Sequence, residues 1–217
     1  MTNKKAAKPG VRVWDPLVRF GHWGIVAGFF TAYLSGDEFP AVHVWAGYAV
    51  AVLVLIRLVW GFVGTKHARF SNFVRGPGAV FTYLRGLFGG KAERHLGHNP
   101  AGAAMILALI IGLSGTAGTG MALLAVEDGE GPLAGIIAQQ GEGHGDAGSE
   151  ASYDEDDEHD GDRDEGAEEL LEELHSAFVY FTLALVALHV FGVVASSLVH
   201  RENLVRAMVT GRKREEE

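Results

Sequence analysis

The chain has 217 residues, 48% of them hydrophobic, and a formal net charge of −9. It contains no cysteine, which excludes disulfides, thiolate catalysis, iron–sulfur ligation and any CxxCH motif. The charge is divided between two unlike parts. Of the 27 Asp and Glu residues, 19 lie between Glu127 and Glu173, where Arg163 is the sole base, and the remainder carries 17 Lys and Arg against 8 acids.

Four long apolar runs follow one another: Phe20–Gly36, Ala41–Val63 (broken only by Arg57), Ala101–Val126 and Leu174–Val199. The third holds 26 residues without a charge. As a helix it measures about 39 Å, more than the roughly 30 Å of a bilayer's hydrocarbon core. The first run follows a basic segment, but bulky aromatics fill it and no Ala-x-Ala cleavage pattern follows, so it reads as a membrane helix and not a leader. The predicted fold class is therefore all-α integral membrane, a bundle of four transmembrane helices.

Taken in order, residues 1–14 read as a loosely ordered basic tail. Asp15-Pro16 is an N-cap followed by proline at the first helical position, so helix one begins there, with His22 about two turns inside. Gly24 and Gly28 form a GxxxG face that suits close helix packing or room for a flat macrocycle. A short turn at 35–40 makes helices one and two antiparallel neighbours. His43 falls in the first turn of helix two, and Arg57 lies fourteen residues on, on about the same face. Arg57 either snorkels to the headgroups or pairs with a buried carboxylate. The segment from Gly64 to Asn99 is basic and rich in glycine; within it Ala79–Phe88 is amphipathic enough to lie at the interface, and His67, His95 and His98 read as solvated.

Asn99-Pro100 starts helix three, whose Gly112, Thr116 and Gly120 form a small-residue stripe suited to packing. Thr116 and Thr119 are expected to bond their own backbone. Helices one to three thus occupy residues 15–126. Residues 127–167 form an acidic insert whose low hydrophobicity and dense like charge predict disorder, with His144 and His159 solvated among carboxylates. Helix four runs over 168–200 and carries His175 and His189, and 201–217 is a basic tail. The basic residues concentrate in both tails and in the Gly64–Asn99 loop, so these are predicted to be cytoplasmic and the insert periplasmic.

His175 and His189 are fourteen residues apart. Fourteen steps return to within about 40° of the starting direction, and the two sit roughly 21 Å apart along one helix face. Ionisable groups inside a membrane usually mark a function. With alternating helix directions, His22, His189 and Arg57 fall in the inner half of the bilayer, and His43 and His175 near the outer face. Two depth-matched pairs are the arrangement for two stacked haems: His22 with His189 on the inner haem iron, and His43 with His175 on the outer. Arg57 is then the expected carboxylate partner. Bis-imidazole ligation gives a low-spin haem b suited to electron transfer.

The segments VWDPLVRFGHW, HVWAGYAV…RLVWGFVG, ARFSNFV, GHNPAG and LHSAFVYF…LHVFGVVASSLVHRENLVRAMVTGRKR resemble the bacterial di-haem cytochrome b family. That family includes cytochrome b561 and the membrane subunit of nickel–iron hydrogenases. The resemblance covers all but Glu127–Gly166. It implies a four-helix bundle in the bacterial inner membrane with two non-covalent haems b, held by the first, second and fourth helices at His22, His43, His175 and His189. It also implies electron exchange between the quinone pool and a periplasmic partner such as a c-type cytochrome or a hydrogenase. The acidic insert departs from the pattern. A second reading is a membrane anchor for a hydrogenase or similar dehydrogenase, and a third is a histidine-based proton or metal transporter, which would hold no haem. No nucleic-acid partner is expected.

Overall fold

The structure is a computed structural model that describes residues 10–36, 38–137 and 157–214. The described chain is mainly helical, with α1 (Pro16–Ser35), α2 (Pro40–Val63), α3 (Phe70–Phe73), α4 (Pro77–Phe88), α5 (Pro100–Glu127), α6 (Asp157–Val199) and α7 (Leu204–Thr210). Two short strands, β1 (Val11–Arg12) and β2 (Arg212–Lys213), pair antiparallel. Among the described residues three helices are long and apolar enough to cross a membrane: α2, α5 and the Gly166–Val199 part of α6. The 20-residue α1 is apolar but carries Arg19 and His22, and it is not one of these three. The chain divides into two compact units, one of Met1–Ile111 with Leu183–Glu217 and one of Gly112–Thr182.

In the first unit the predicted start signals act as capping groups. The Asp15 carboxylate accepts the Val18 N–H at 2.9 Å, and Asn99 Oδ1 accepts the Gly102 N–H at 2.7 Å, satisfying donors that a helix terminus otherwise leaves orphaned. The GxxxG face of α1 serves packing against α2. A Cβ on Gly24 would stand 2.9 Å from a Leu53 methyl, and one on Gly28 would stand 2.8 Å from a Val50 methyl. These contacts fix the antiparallel register of the pair.

The segment between α2 and α5 is built from α3, α4 and turns, and the amphipathic stretch is helical as expected. Tyr83 of α4 is buried, with its hydroxyl 3.2 Å from His200 Nε2 and 3.4 Å from Ser196 Oγ.

Three segments differ from the sequence reading. Residues 10–14 are not a loose tail. β1 is paired with β2, and Val13 and Trp14 are buried, because the Val13 and Trp14 N–H groups both donate to the Gly211 carbonyl. Residues 201–214 likewise fold back. Asn203 caps α7, Gly211 takes the left-handed conformation at φ 78° that ends it, and a side chain on Gly211 would strike the Trp14 carbonyl. Arg19 of α1 donates to the Val209 carbonyl. Finally, α6 begins at Asp157, inside the stretch read as a disordered insert; His144 and the rest of 138–156 lie outside the described residues.

In the second unit α5 and α6 pack through small residues. A Cβ on Gly115 would fall 2.3 Å from the Phe178 ring, and Thr182 is fully buried with its hydroxyl 3.4 Å from that of Thr116. Thr116 and Thr119 also donate to the Gly112 and Gly115 carbonyls one turn back, as expected of hydroxyls in apolar helices.

The terminal fold rests on one ion pair. Glu202, buried, accepts from Arg94 at 3.1 Å and from the Arg214 N–H at 2.9 Å. Burial pushes the Glu202 carboxyl up, but these hydrogen bonds and the charges of Arg94 and Lys213 outweigh it, leaving the group below its ordinary value. Its contribution is therefore present above the ordinary glutamate range and is lost as pH falls through the depressed value. We expect Glu202→Gln to destabilise this terminal fold by about 1–3 kcal/mol, measured as faster limited proteolysis after Arg201 and Arg206 at neutral pH.

Candidate functional site

His22 of α1 and His189 of α6 meet in the first unit, with ring centroids 6.3 Å apart and planes at 51°. Trp23 stands edge-on to His22 at 5.2 Å. His22 Nδ1 is buried and has no hydrogen-bond partner among the described residues. Two imidazoles bound to one metal ion at about 2 Å each would set facing ring centroids about 6 Å apart, so the observed spacing accommodates one ion. No group of three or more His, Cys, Asp or Glu among the described residues could hold a metal. A metal held by this pair would have to bring its other ligands with it, as a macrocycle does.

His43 and His175 fall in different units, so each is described in its own surroundings. His43 Nδ1 lies 2.9 Å from the Ala32 carbonyl, and a Cβ on Gly36 would sit 3.6 Å from the same nitrogen. His175 Nδ1 lies 3.1 Å from the Thr116 carbonyl and 3.2 Å from the Thr119 hydroxyl. A backbone carbonyl can only accept, so in both residues Nδ1 is the donor to it. That tautomer is the one a metal-ligating imidazole adopts when its second nitrogen is held by a carbonyl. Gly120 makes room for His175, since a Cβ there would come within 2.9 Å of the His175 ring.

Arg57 points into the first unit, with its guanidinium 5.2 Å above the Phe70 ring. Both terminal nitrogens are buried and lack hydrogen-bond partners among the described residues. A snorkelling arginine would carry its head to water; this one does not. The orphaned planar fork matches a carboxylate that arrives with a ligand. Phe70 also borders an apolar cavity of about 540 Å³ shared with Leu58, Phe62 and Ile110.

One of the loop histidines, His98, does not share the solvated fate expected of them. His98 is sandwiched between Trp14 and Phe73, each with its ring centroid 4.4 Å away, and its Nδ1 is a further buried atom without a partner. Burial, reinforced by the charges of Arg57, Lys213 and His67, pushes the His98 imidazole down to about 3, so it is neutral at physiological pH. His67 is also below its ordinary value, from burial and then Lys66 and Lys213. His95 stacks edge-on to Tyr83. The neighbouring aromatic positions that enclose His98 are far away in sequence, and loop composition alone gave no sign of them.

A family model described as prokaryotic cytochrome b561 matches residues 13–211. Among curated proteins, the chain is 31% identical over 86 residues to a probable Ni/Fe-hydrogenase B-type cytochrome subunit of Bradyrhizobium diazoefficiens, a match covering 30% of this chain and 35% of the relative. The chain thus spans about a third of the length of the curated relative it matches. No solved structure matches it significantly.

The close approach of Gly120 to His175 generates a direct expectation. Gly120→Val places branched methyls where the imidazole now sits, a misfit that costs about 1–3 kcal/mol. The thermal midpoint of the detergent-solubilised protein should fall accordingly, whereas Gly118→Ala, which meets nothing within 4 Å, should leave it unchanged.

Proposed function

Because the chain belongs to the prokaryotic cytochrome b561 family, we propose that this membrane-bound b-type cytochrome carries electrons through two bis-histidine haems b between a periplasmic redox partner and the quinone pool. His22 and His189 hold the inner haem iron, and His43 and His175 the outer. Arg57 pairs with a carboxylate of the inner haem. When bound, the haems would supply one-electron transfer rather than oxygen chemistry, since two imidazoles would hold each iron.

The observation that carries this reading is the 6.3 Å approach of His22 to His189, with no third metal ligand beside them among the described residues. The Nδ1 contacts of His43 and His175 add support, because a carbonyl bond of this kind orients an imidazole within an apolar helix. The roles of the protein groups follow from their chemistry. The imidazoles would hold the iron, the apolar helix faces exclude water, and Arg57 would offset negative charge that would otherwise be buried alone. In this reading α1 is a fourth transmembrane helix, both termini are cytoplasmic, and the membrane is the bacterial inner membrane. The acidic residues between Glu127 and Glu173 then face the periplasm, where they would draw a basic partner such as a c-type cytochrome.

A second reading is favoured by the name of the Bradyrhizobium relative: a membrane anchor and electron-accepting subunit for a hydrogenase. Both readings require haem, and a large hydrogenase subunit co-purifying at a fixed ratio in mild detergent would select the second.

The first test is the haem count per chain with a reduced-minus-oxidised spectrum. Two low-spin haems b are expected; none in folded protein made with ample haem would reject the proposal. Single variants then assign the ligands. His22→Ala or His189→Ala should remove the inner haem alone, and His43→Ala or His175→Ala the outer alone, read as halved haem content with a distinct residual spectrum. Arg57→Leu should lower the inner-haem potential by on the order of 60 mV, the one-electron equivalent of about 1.4 kcal/mol, because loss of a nearby positive charge favours the ferric state.

A further inference from the structure

Arg57 is not the only donor left open at the cytoplasmic end of the first unit. Its two terminal nitrogens and His98 Nδ1 are all buried without partners among the described residues, and one run of rings connects them. The Arg57 guanidinium lies over Phe70, and Phe70 meets Phe73 at 5.8 Å. Phe73 meets His98, and His98 meets Trp14, both at 4.4 Å; Lys213 Nζ closes the run 5.6 Å from the Trp14 ring centre. Gly61 permits the arrangement, since any Cβ there would overlap the Phe70 ring at 1.9 Å.

Nearby acids do not fill the gap. Asp15 is the acid whose charge reaches Arg57, yet its carboxylate already accepts from the Val18 N–H, Trp60 Nε1 and the Thr65 hydroxyl. Lys213 is likewise committed, donating to the His95 and Gly97 carbonyls. Arg19 Nε and His22 Nδ1 aside, the set left open along this run of rings is one planar cation and one neutral imidazole nitrogen that can carry the ring's proton. That combination suits a carboxylate, which accepts a fork on one side and a single directional bond on the other.

Depth places Arg57 beside the inner pair, with His98 near the start of α1. Gly24 faces Leu53 and Gly28 faces Val50 across the α1–α2 pair. Continued along the antiparallel register, this sets Arg57 level with about Phe20, roughly 3 Å of helix rise to the cytoplasmic side of His22. His98 is pinned against Trp14, immediately before the helix that carries His22.

We propose that His98 is a positioning residue for the inner haem, its Nδ1–H donating to the same carboxylate arm that Arg57 pairs with. This rests on the two-haem reading above. Arg57 supplies the charge, and His98 supplies direction without adding charge. The GHNP turn thereby does two tasks: Asn99 caps α5 while His98 faces the cofactor's edge.

The test uses the full chain with haem bound, comparing wild type with His98→Phe and His98→Asn. Phenylalanine keeps the ring stack and loses the donor; asparagine loses the stack and keeps a donor near the Nδ1 position. Two quantities are read: the rate at which the inner haem passes to an excess of haem-scavenging apoprotein, and its midpoint potential. The inner haem is identified by its absence from His22→Ala, and the outer haem serves as the internal check on folding. With His98→Phe the inner haem should leave about ten times faster and its potential should fall, while the outer haem is unchanged. His98→Asn should recover most of both. Wild-type behaviour of the inner haem in His98→Phe, or equal loss in both variants, overturns the proposal; altered phospholipid retention with unaltered haem would reassign the donors to a headgroup and overturn it too. A wild-type protein lacking two haems would sink the two-haem reading itself, and this inference with it.

Discussion

A histidine inside an apolar helix must satisfy two ring nitrogens without water. His43 and His175 each commit one nitrogen to a backbone carbonyl, of Ala32 and Thr116, which fixes the orientation of the ring. His22 and His189 instead meet each other. Much of the local architecture follows from accommodating these rings. Gly120 clears space beside His175, Gly24 and Gly28 draw α1 onto α2, and Asp15 fixes where α1 begins. For a membrane-bound electron carrier this economy matters, because a ligand that turns on its χ angles also changes the energy of the metal it holds.

The second constraint is charge. An arginine that ends among aromatic rings with its fork unpaired is costly to keep unless something anionic joins it. Its neighbourhood is closed by segments distant in sequence: Trp14 precedes α1, Phe70 and Phe73 form α3, His98 precedes α5 and Lys213 lies in β2. Ordering these segments relative to one another falls to the Arg94–Glu202 pair and to the Gly211 turn. Breaking a buried charge pair of this kind is costly, because the remaining charge is left unpaired.

The helices and their starting points were legible in the sequence because their signals are local. A run of apolar residues, or Asp15-Pro16 and Asn99-Pro100, means the same thing whatever surrounds it. The depth argument that paired His22 with His189 also used only helix rise and direction, and these two rings do come together. His98 was misread for the opposite reason. Beside Arg94 and His95 it looks like a solvated loop residue, and only tertiary folding brings Trp14 and Phe73 onto its two faces. Residues 10–14 and 201–214 were misread as tails on the same ground: each looks unstructured alone, and each is the other's partner. At α6 the acidic composition before Glu168 hid a helix that begins at Asp157.

The pairing of β1 with β2 has a consequence for counting. Val11 lies opposite Lys213 and Arg12 opposite Arg212, so the first and last described segments of the chain share one ribbon. Such a ribbon cannot be drawn through hydrocarbon, because its outer edges expose unpaired backbone groups. Both segments must therefore stand on one side of the bilayer, and the chain between them has to traverse it an even number of times. Among the described residues the long apolar helices number three, an odd count. The polar-spotted α1, with Arg19 and His22 on it, is the element whose crossing would restore parity in the proposed four-helix reading.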